Sequence, residues 1–279
     1  MPIFSRKRSL LQSQKLVRRE RARKWTKAVF IFVLFGGLLY GLSALSYCTK
    51  LNVQTVLVSG NSAVPTDAVL EIARDAVHER KFLIFSGANI LWYPKQQIIN
   101  TLQYSYSWID SVSINRVNGT TVEIKIKERV PVAVWCGASQ DKPTSCQLVD
   151  VLGYVFAKAP EFSGAAYLKL YGPLTSASWR GAGFFSQNGL IHMLEFAKAL
   201  PEIGFQPISA EVTSANTYNM VLDNDTYISV PISEPVPALI SNISSLLSQK
   251  DFAENKTGNF SNLVYIDARF GNKLFYKFK

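Results

Sequence analysis

The chain has 279 residues and 48% of them are apolar, so it can build packed cores and is not a disordered protein. Its formal charge is +10, but residues 1–27 carry ten Lys or Arg against one acid, Glu20, and so supply +9 of that charge. The rest of the chain is close to neutral. A nucleic-acid-binding domain is therefore not expected, and nucleic acid is not a predicted partner.

A charge-free stretch follows this basic tail, since no charged residue lies between Lys27 and Lys50. Residues 28–47 are mostly apolar, and twenty helical residues span the hydrocarbon core of about 30 Å. A cleaved signal peptide is the alternative, but its apolar stretch is usually only about 7 to 15 residues long. The sequence predicts a transmembrane helix over 28–47, with the 1–27 tail cytoplasmic, the rest extracytoplasmic and membrane lipid as one partner.

Three cysteines lie on the extracytoplasmic side of this helix. Cys48 follows it directly and is expected to be a free thiol. Cys136 and Cys146 bracket a polar loop, where a disulfide closing ten residues and two free thiols are both open outcomes.

Residues 51–128 predict a small α+β domain with its elements in the order β-α-α-β-β. Asn118-Gly119 joins two runs of alternating apolar and polar residues, which is a strong hairpin signal because both residues tolerate the positive φ of a tight turn. The predicted elements are a strand over Val53–Val58, a helix from Thr66 to near His78, a loop over Phe82–Trp92, a helix over Pro94–Gln103, and strands over Val112–Asn115 and Val122–Lys127.

Residues 129–279 predict a β-rich domain with two covering helices, near Ser186–Leu200 and Pro237–Gln249. Short β-type runs recur along this region. They cover Val132–Trp135, Gln147–Val151, Gly153–Phe156, Tyr167–Tyr171, Ile208–Val212, Met220–Leu222, Tyr227–Val230, Leu263–Ile266 and Lys273–Phe278.

Four motifs lie in order behind the predicted anchor: Val56–Asn61, Val122–Ala133, Val149–Phe156 and Tyr265–Phe270. With them the chain resembles the bacterial division proteins called FtsQ or DivIB. The resemblance implies a cytoplasmic tail, one membrane helix, a POTRA domain, and a β domain whose sheet continues from the POTRA hairpin. Two features depart from it: only Gly271-Asn272 separates the last two predicted strands, and no extended tail follows them.

The resemblance also implies a function, namely that of a scaffold in the cell membrane at the division septum. Its partners would be the bitopic coiled-coil proteins FtsB and FtsL, with septal peptidoglycan synthesis enzymes as further partners. FtsB would add a strand at the end of the β domain. The partner-binding candidates are Arg269, Phe270, Lys273, Leu274, Phe275, Tyr276, Lys277 and Phe278.

The sequence does not favour an enzymatic function, and no catalytic, cofactor-binding or metal-binding residue is predicted. Ser139–Lys142, Ser186–Asn188 and Lys256–Gly258 match the SxxK, SxN and KTG elements of penicillin-binding enzymes. However, Pro143 directly after Lys142 opposes the helix that SxxK needs. His78 and His192 lack nearby ligands at metal spacing. The alternative function is that of a membrane-tethered POTRA protein of a secretion or outer-membrane assembly pathway.

Overall fold

The computed structural model describes residues 6–48, 50, 52–78, 86, 88–161, 166–249, 252, 260 and 262–279, without the side chains of 6–17 and Glu20. The chain forms two compact units. The first comprises residues 1–103 and 111–126, and the second comprises residues 104–110 and 127–279. The predicted loop over Phe82–Trp92 lies partly outside the described residues.

The first element is a single long helix, α1 (Arg6–Ser46), which continues the basic tail without a break into the apolar stretch. The part over Arg21–Ser46 is long and apolar enough to cross a membrane. Most of its side chains are exposed, as expected for a helix that faces lipid. The predicted span over 28–47 thus corresponds to the apolar half of a longer helix.

The remainder of the first unit has the predicted order β1 (Thr55–Ser59), α2 (Thr66–His78), α3 (Lys95–Ser105), β2 (Ile109–Arg116) and β3 (Thr121–Glu128). The sheet order is β1-β3-β2, and β1 runs parallel to β3. α2 places its apolar positions at helical spacing against this sheet, where Val69 and Ala73 are almost fully buried. The sequence therefore predicted both the element types and their order.

The turn between β2 and β3 differs from the prediction, because neither Asn118 nor Gly119 has a positive φ. Val117 N donates to Thr121 O at 2.9 Å and closes a wider loop than a two-residue turn. Asn118 Oδ1 accepts from the backbone N of Thr120 at 2.9 Å. The hairpin is present, but the Asn118 side chain builds its turn by bonding the backbone two residues on.

The second unit contains one nine-stranded sheet in the order β12-β11-β10-β9-β8-β7-β4-β5-β6. β3 and β4 belong to different sheets, so the expected continuation of the POTRA hairpin sheet into this one is not found among the described residues. The strands of this sheet are β4 (Pro131–Trp135), β5 (Gln147–Asp150), β6 (Val155–Lys158), β7 (Lys169–Tyr171), β8 (Pro207–Ser214), β9 (Thr217–Leu222), β10 (Tyr227–Pro231), β11 (Leu263–Phe270) and β12 (Lys273–Phe278).

Two helices, α4 (Gln187–Ala199) and α5 (Val236–Leu247), contribute to the main core of this unit. Ser186 caps α4 by accepting from Gly189 N, and Pro235 precedes α5. The helices bury Leu190, Met193, Phe196, Leu239, Ile243 and Leu246 against strand residues of the sheet. The expected β-rich domain with covering helices is therefore found, and it leaves β12 at one edge of the sheet.

Candidate partner-binding edge of the nine-stranded sheet

β12 is the edge strand of the nine-stranded sheet, and among the described strands it pairs only with β11. The pairing is antiparallel, with Ile266 opposite Tyr276 and Asp267 opposite Phe275. An internal, fully paired position for this strand is thus excluded in the described part of the chain. An edge strand presents a row of backbone donors and acceptors to which a partner strand can bind.

Gly271 and Asn272 form the short turn that brings β12 back along β11. Gly271 has a φ of 62°, which an L side chain rarely adopts. A glycine at the first central position is typical of the type II′ turn, whose twist suits a β-hairpin. The brevity of this turn fixes β12 next to β11.

The inner face of β12 consists of Leu274, Tyr276 and Phe278, which pack against the main core. The fully buried Phe252 lies between them, with ring centroids 4.8 Å from Tyr276 and 5.1 Å from Phe278. These candidate residues therefore hold the strand on the sheet. Tyr276, one of the partner-binding candidates, is thus partly buried against the core.

The outer face of the hairpin carries two exposed aromatic side chains, Phe270 and Phe275, which are 57% and 51% exposed. Their rings meet edge to face with centroids 5.2 Å apart. Lys273 and Lys277 are exposed on the same strand. An apolar pair flanked by cations is suited to an amphipathic, acidic partner segment.

Arg269, another partner-binding candidate, already binds a carboxylate of its own chain. Its Nε donates to Asp267 Oδ1 at 2.8 Å and its Nη2 to Asp267 Oδ2 at 2.6 Å. The hydrogen bond from Arg269 lowers the pKa of Asp267, and the same pairing raises the pKa of Arg269. A partner carboxylate would have to share this guanidinium or displace Asp267.

Sequence reasoning missed three residues of this edge: Asp267, Phe252 and Tyr227. Asp267 could have been found, because residues two apart on a strand share a face and so bring it beside Arg269. Tyr227 stacks on Tyr265 with ring centroids 5.7 Å apart. Phe252 gave no local signal, since it reaches the hairpin from a different part of the chain.

Cys136 and Cys146 are joined by a disulfide that closes the loop between β4 and β5. Cys136 is almost fully buried, while Cys146 is partly accessible. Cys48 is a free thiol. The bond therefore ties together two neighbouring strands far from β12 in the sheet order.

The matches to penicillin-binding enzymes do not form a catalytic arrangement in the described residues. Ser139 and Lys142 lie in turns rather than on a helix. Ser186 uses its hydroxyl to cap α4. Lys256–Gly258 lies outside the described residues. His78 ends α2, and the His192 ring contacts the Tyr218 hydroxyl at 3.0 Å and the Glu234 carbonyl oxygen at 2.7 Å.

The comparison with known families decides the nature of the first extramembrane domain. The POTRA domain of FtsQ type matches residues 51–129. Residues 51–129 therefore form a POTRA domain of FtsQ type. No curated protein matches this chain at a significant level. The chain thus carries one helix long and apolar enough to cross a membrane, then a POTRA domain of FtsQ type, and then a β-rich region.

Proposed function

We propose that this FtsQ-type protein is a non-enzymatic scaffold of the bacterial division machinery, with its tail in the cytoplasm and its two domains outside. It binds FtsB/FtsL-type coiled-coil partners at the septum and thereby helps to regulate septal peptidoglycan synthesis, whose enzymes are further partners. The single membrane helix and the FtsQ-type POTRA domain support this proposal. In this proposal the partners bind at the open edge of β12.

The position of β12 at the sheet edge is the observation that carries the proposal. Lys279 N donates to Asn262 O at 2.8 Å, so the backbone groups of this residue face β11. Because successive residues of a strand direct their backbone groups to opposite sides, those of Tyr276 and Phe278 face the open edge. A partner strand would bond there through its own backbone, which gives affinity without sequence specificity.

Specificity would come from the side chains that flank the partner strand. Phe270 and Phe275 form an exposed aromatic surface, and large aromatic side chains dominate the free energy of many interfaces. Lys273 and Lys277 would pair with acidic residues of the partner and exclude basic segments. Together these four side chains favour an extended segment with apolar and acidic residues.

The experiment is a binding measurement with the full chain in lipid nanodiscs and the FtsB- and FtsL-type pair from the same organism. Phe275→Glu places a carboxylate on the outer face of the hairpin. Leu152→Glu is the matched control, because Leu152 is also 51% exposed but lies in the turn that leads to β6, at the opposite edge of the sheet. We expect Phe275→Glu to weaken binding at least about tenfold, in the range of an interface hot spot, and Leu152→Glu to leave it unchanged.

Equal binding by both variants, with the fold intact by circular dichroism, would remove β12 from the site. Binding of the chain to components of a secretion or outer-membrane assembly pathway, in place of the division pair, would favour the alternative function.

A further inference from the structure

The strongest feature outside the proposed binding edge is the basic half of α1. The helix has 41 residues and so is about 60 Å long, whereas the hydrocarbon core of a bilayer is about 30 Å thick. The part that precedes the apolar stretch therefore extends beyond the core as a continuous helix. Six described cations lie on it, here named the cationic collar: Arg18, Arg19, Arg21, Arg23, Lys24 and Lys27.

The collar surrounds the helix rather than forming one stripe along it. Successive residues are about 100° apart on a helix, since 3.6 residues make a turn. Arg18, Arg21 and Lys24 follow one side at a spacing of three residues. Arg19, Arg23 and Lys27 follow the opposite side at a spacing of four residues. A partner helix or a single protein surface could meet only one of these two rows.

The collar keeps a net positive charge, because Glu20 is the one acid among residues 1–27. All six side chains are exposed, and the ion pairs found in the described part of the chain involve none of them. Trp25 lies within the collar and is 73% exposed. An aromatic ring at the end of a membrane span is typical of the level of the lipid headgroups.

We infer that the cationic collar gathers anionic phospholipids around α1, with their phosphate groups on both sides of the helix. The inference assumes that α1 crosses the bilayer, but it does not depend on the partner site at β12. Lipids are the partner that fits, because they surround a spanning helix at the depth where the collar lies. Clustered basic residues directly outside a membrane span attract anionic headgroups electrostatically within about a Debye length.

The test reconstitutes the full chain in nanodiscs of phosphatidylcholine with a minor fraction of phosphatidylglycerol, and counts the lipids retained on the chain by native mass spectrometry. We expect phosphatidylglycerol to be enriched about fivefold over its bulk fraction, and less so as salt is raised. The variant with Arg18, Arg19, Arg21 and Arg23 changed to Gln should lose most of this enrichment.

Two matched variants separate the collar from general charge effects. Changing the exposed Lys95, Lys142, Lys158 and Lys198 to Gln removes the same charge from the extramembrane domains and should leave the enrichment unchanged. Changing the four collar arginines to Lys keeps the charge and should keep the enrichment. Inorganic phosphate should displace no more lipid than chloride at equal ionic strength.

Three results would overturn the inference. The first is a lipid ratio equal to the bulk ratio for the unchanged chain. The second is an equal loss in the collar variant and in the extramembrane control. The third is displacement by inorganic phosphate beyond the effect of ionic strength, which would indicate a site for free phosphate. Far-UV circular dichroism checks that all variants keep their helix.

Discussion

Arg129 Nη1 donates to Asp150 Oδ2 at 2.6 Å, and both side chains are largely buried. The guanidinium also lies 4.0 Å from the centre of the Tyr154 ring. Asp150 Oδ1 accepts from the backbone N of Leu152 and of Tyr154, both at 2.9 Å. The residue that opens the β-rich region thus fixes the turn between β5 and β6, so the Arg129 side chain has a structural role rather than that of an exposed docking residue.

Replacing Arg129 by Met should destabilise the β-rich unit by about 3 kcal/mol, because it leaves the buried Asp150 carboxylate without its cation. Lys127→Met is the matched control. Lys127 pairs with Asp110 at 2.9 Å, but its side chain is 75% exposed, so we expect a loss below about 1 kcal/mol. Chemical denaturation of the full chain measures both changes. Equal losses of stability in the two variants would show that burial of the pair between Arg129 and Asp150 does not increase its contribution to stability.

Changes on the two faces of β12 should have opposite consequences for stability. Tyr276→Asp places a charge against the buried Phe252 and should cost more than about 2 kcal/mol or unfold the edge of the sheet. Phe275→Asp, on the exposed face, should change stability by less than about 0.5 kcal/mol. Thermal unfolding followed by near-UV circular dichroism distinguishes them. A stable Tyr276→Asp variant would mean that the inner face of β12 is not part of the core.

The pairing of Asp267 with Arg269 predicts a pH dependence of stability. The pKa of Asp267 is lowered in the folded protein, so its contribution is present above the unfolded pKa of about 3.9 and is lost as pH falls through the folded value. Asp267→Asn should therefore cost up to about 1 kcal/mol near neutral pH, discounted for the partly exposed Arg269, and almost nothing in strong acid. Denaturant unfolding of both proteins across this range tests it. A difference in unfolding free energy between the two proteins that grows as the pH falls would contradict this prediction.

The disulfide between Cys136 and Cys146 should stabilise the β-rich unit by about 3 kcal/mol, from the entropy of the loop that it closes in the unfolded chain. Changing both cysteines to Ala should lower the unfolding temperature by roughly 6 to 12 °C for a unit of this size. Cys48→Ser is the control and should have no effect, because Cys48 is a free thiol. If the double variant unfolds at the same temperature as the unchanged protein, the disulfide does not stabilise the fold.

Much of the fold could be predicted from local signals. The apolar stretch after Lys27, the stripe on α2 and the alternation in β2 and β3 each reflect burial at a helix or strand period. The turn at Asn118-Gly119 could not, because the same dipeptide serves a tight turn with positive φ or, as here, a wider loop closed by the Asn118 side chain. Replacing both residues by Thr should therefore cost less than about 1.5 kcal/mol rather than unfold the hairpin, as measured by thermal unfolding.

The candidate site could be predicted only in part. The resemblance implied that a partner strand binds at β12, but which face of this strand is buried depends on a residue distant in sequence, Phe252. Arg269 is paired with Asp267 on the same strand face, so its side chain is not free for a partner carboxylate. Long-range packing thus decides which residues of the hairpin remain accessible.

The central claim is that a partner strand pairs with the open edge of β12. Hydrogen exchange of the backbone amides measures this directly, in the full chain with and without the FtsB- and FtsL-type pair. We expect the partner to slow exchange at the amides of Tyr276 and Phe278, which face the open edge. Phe275→Glu should reduce this protection, whereas Leu152→Glu should not. Partner binding that leaves exchange along β12 unchanged and protects another surface would show that the partner does not pair with β12.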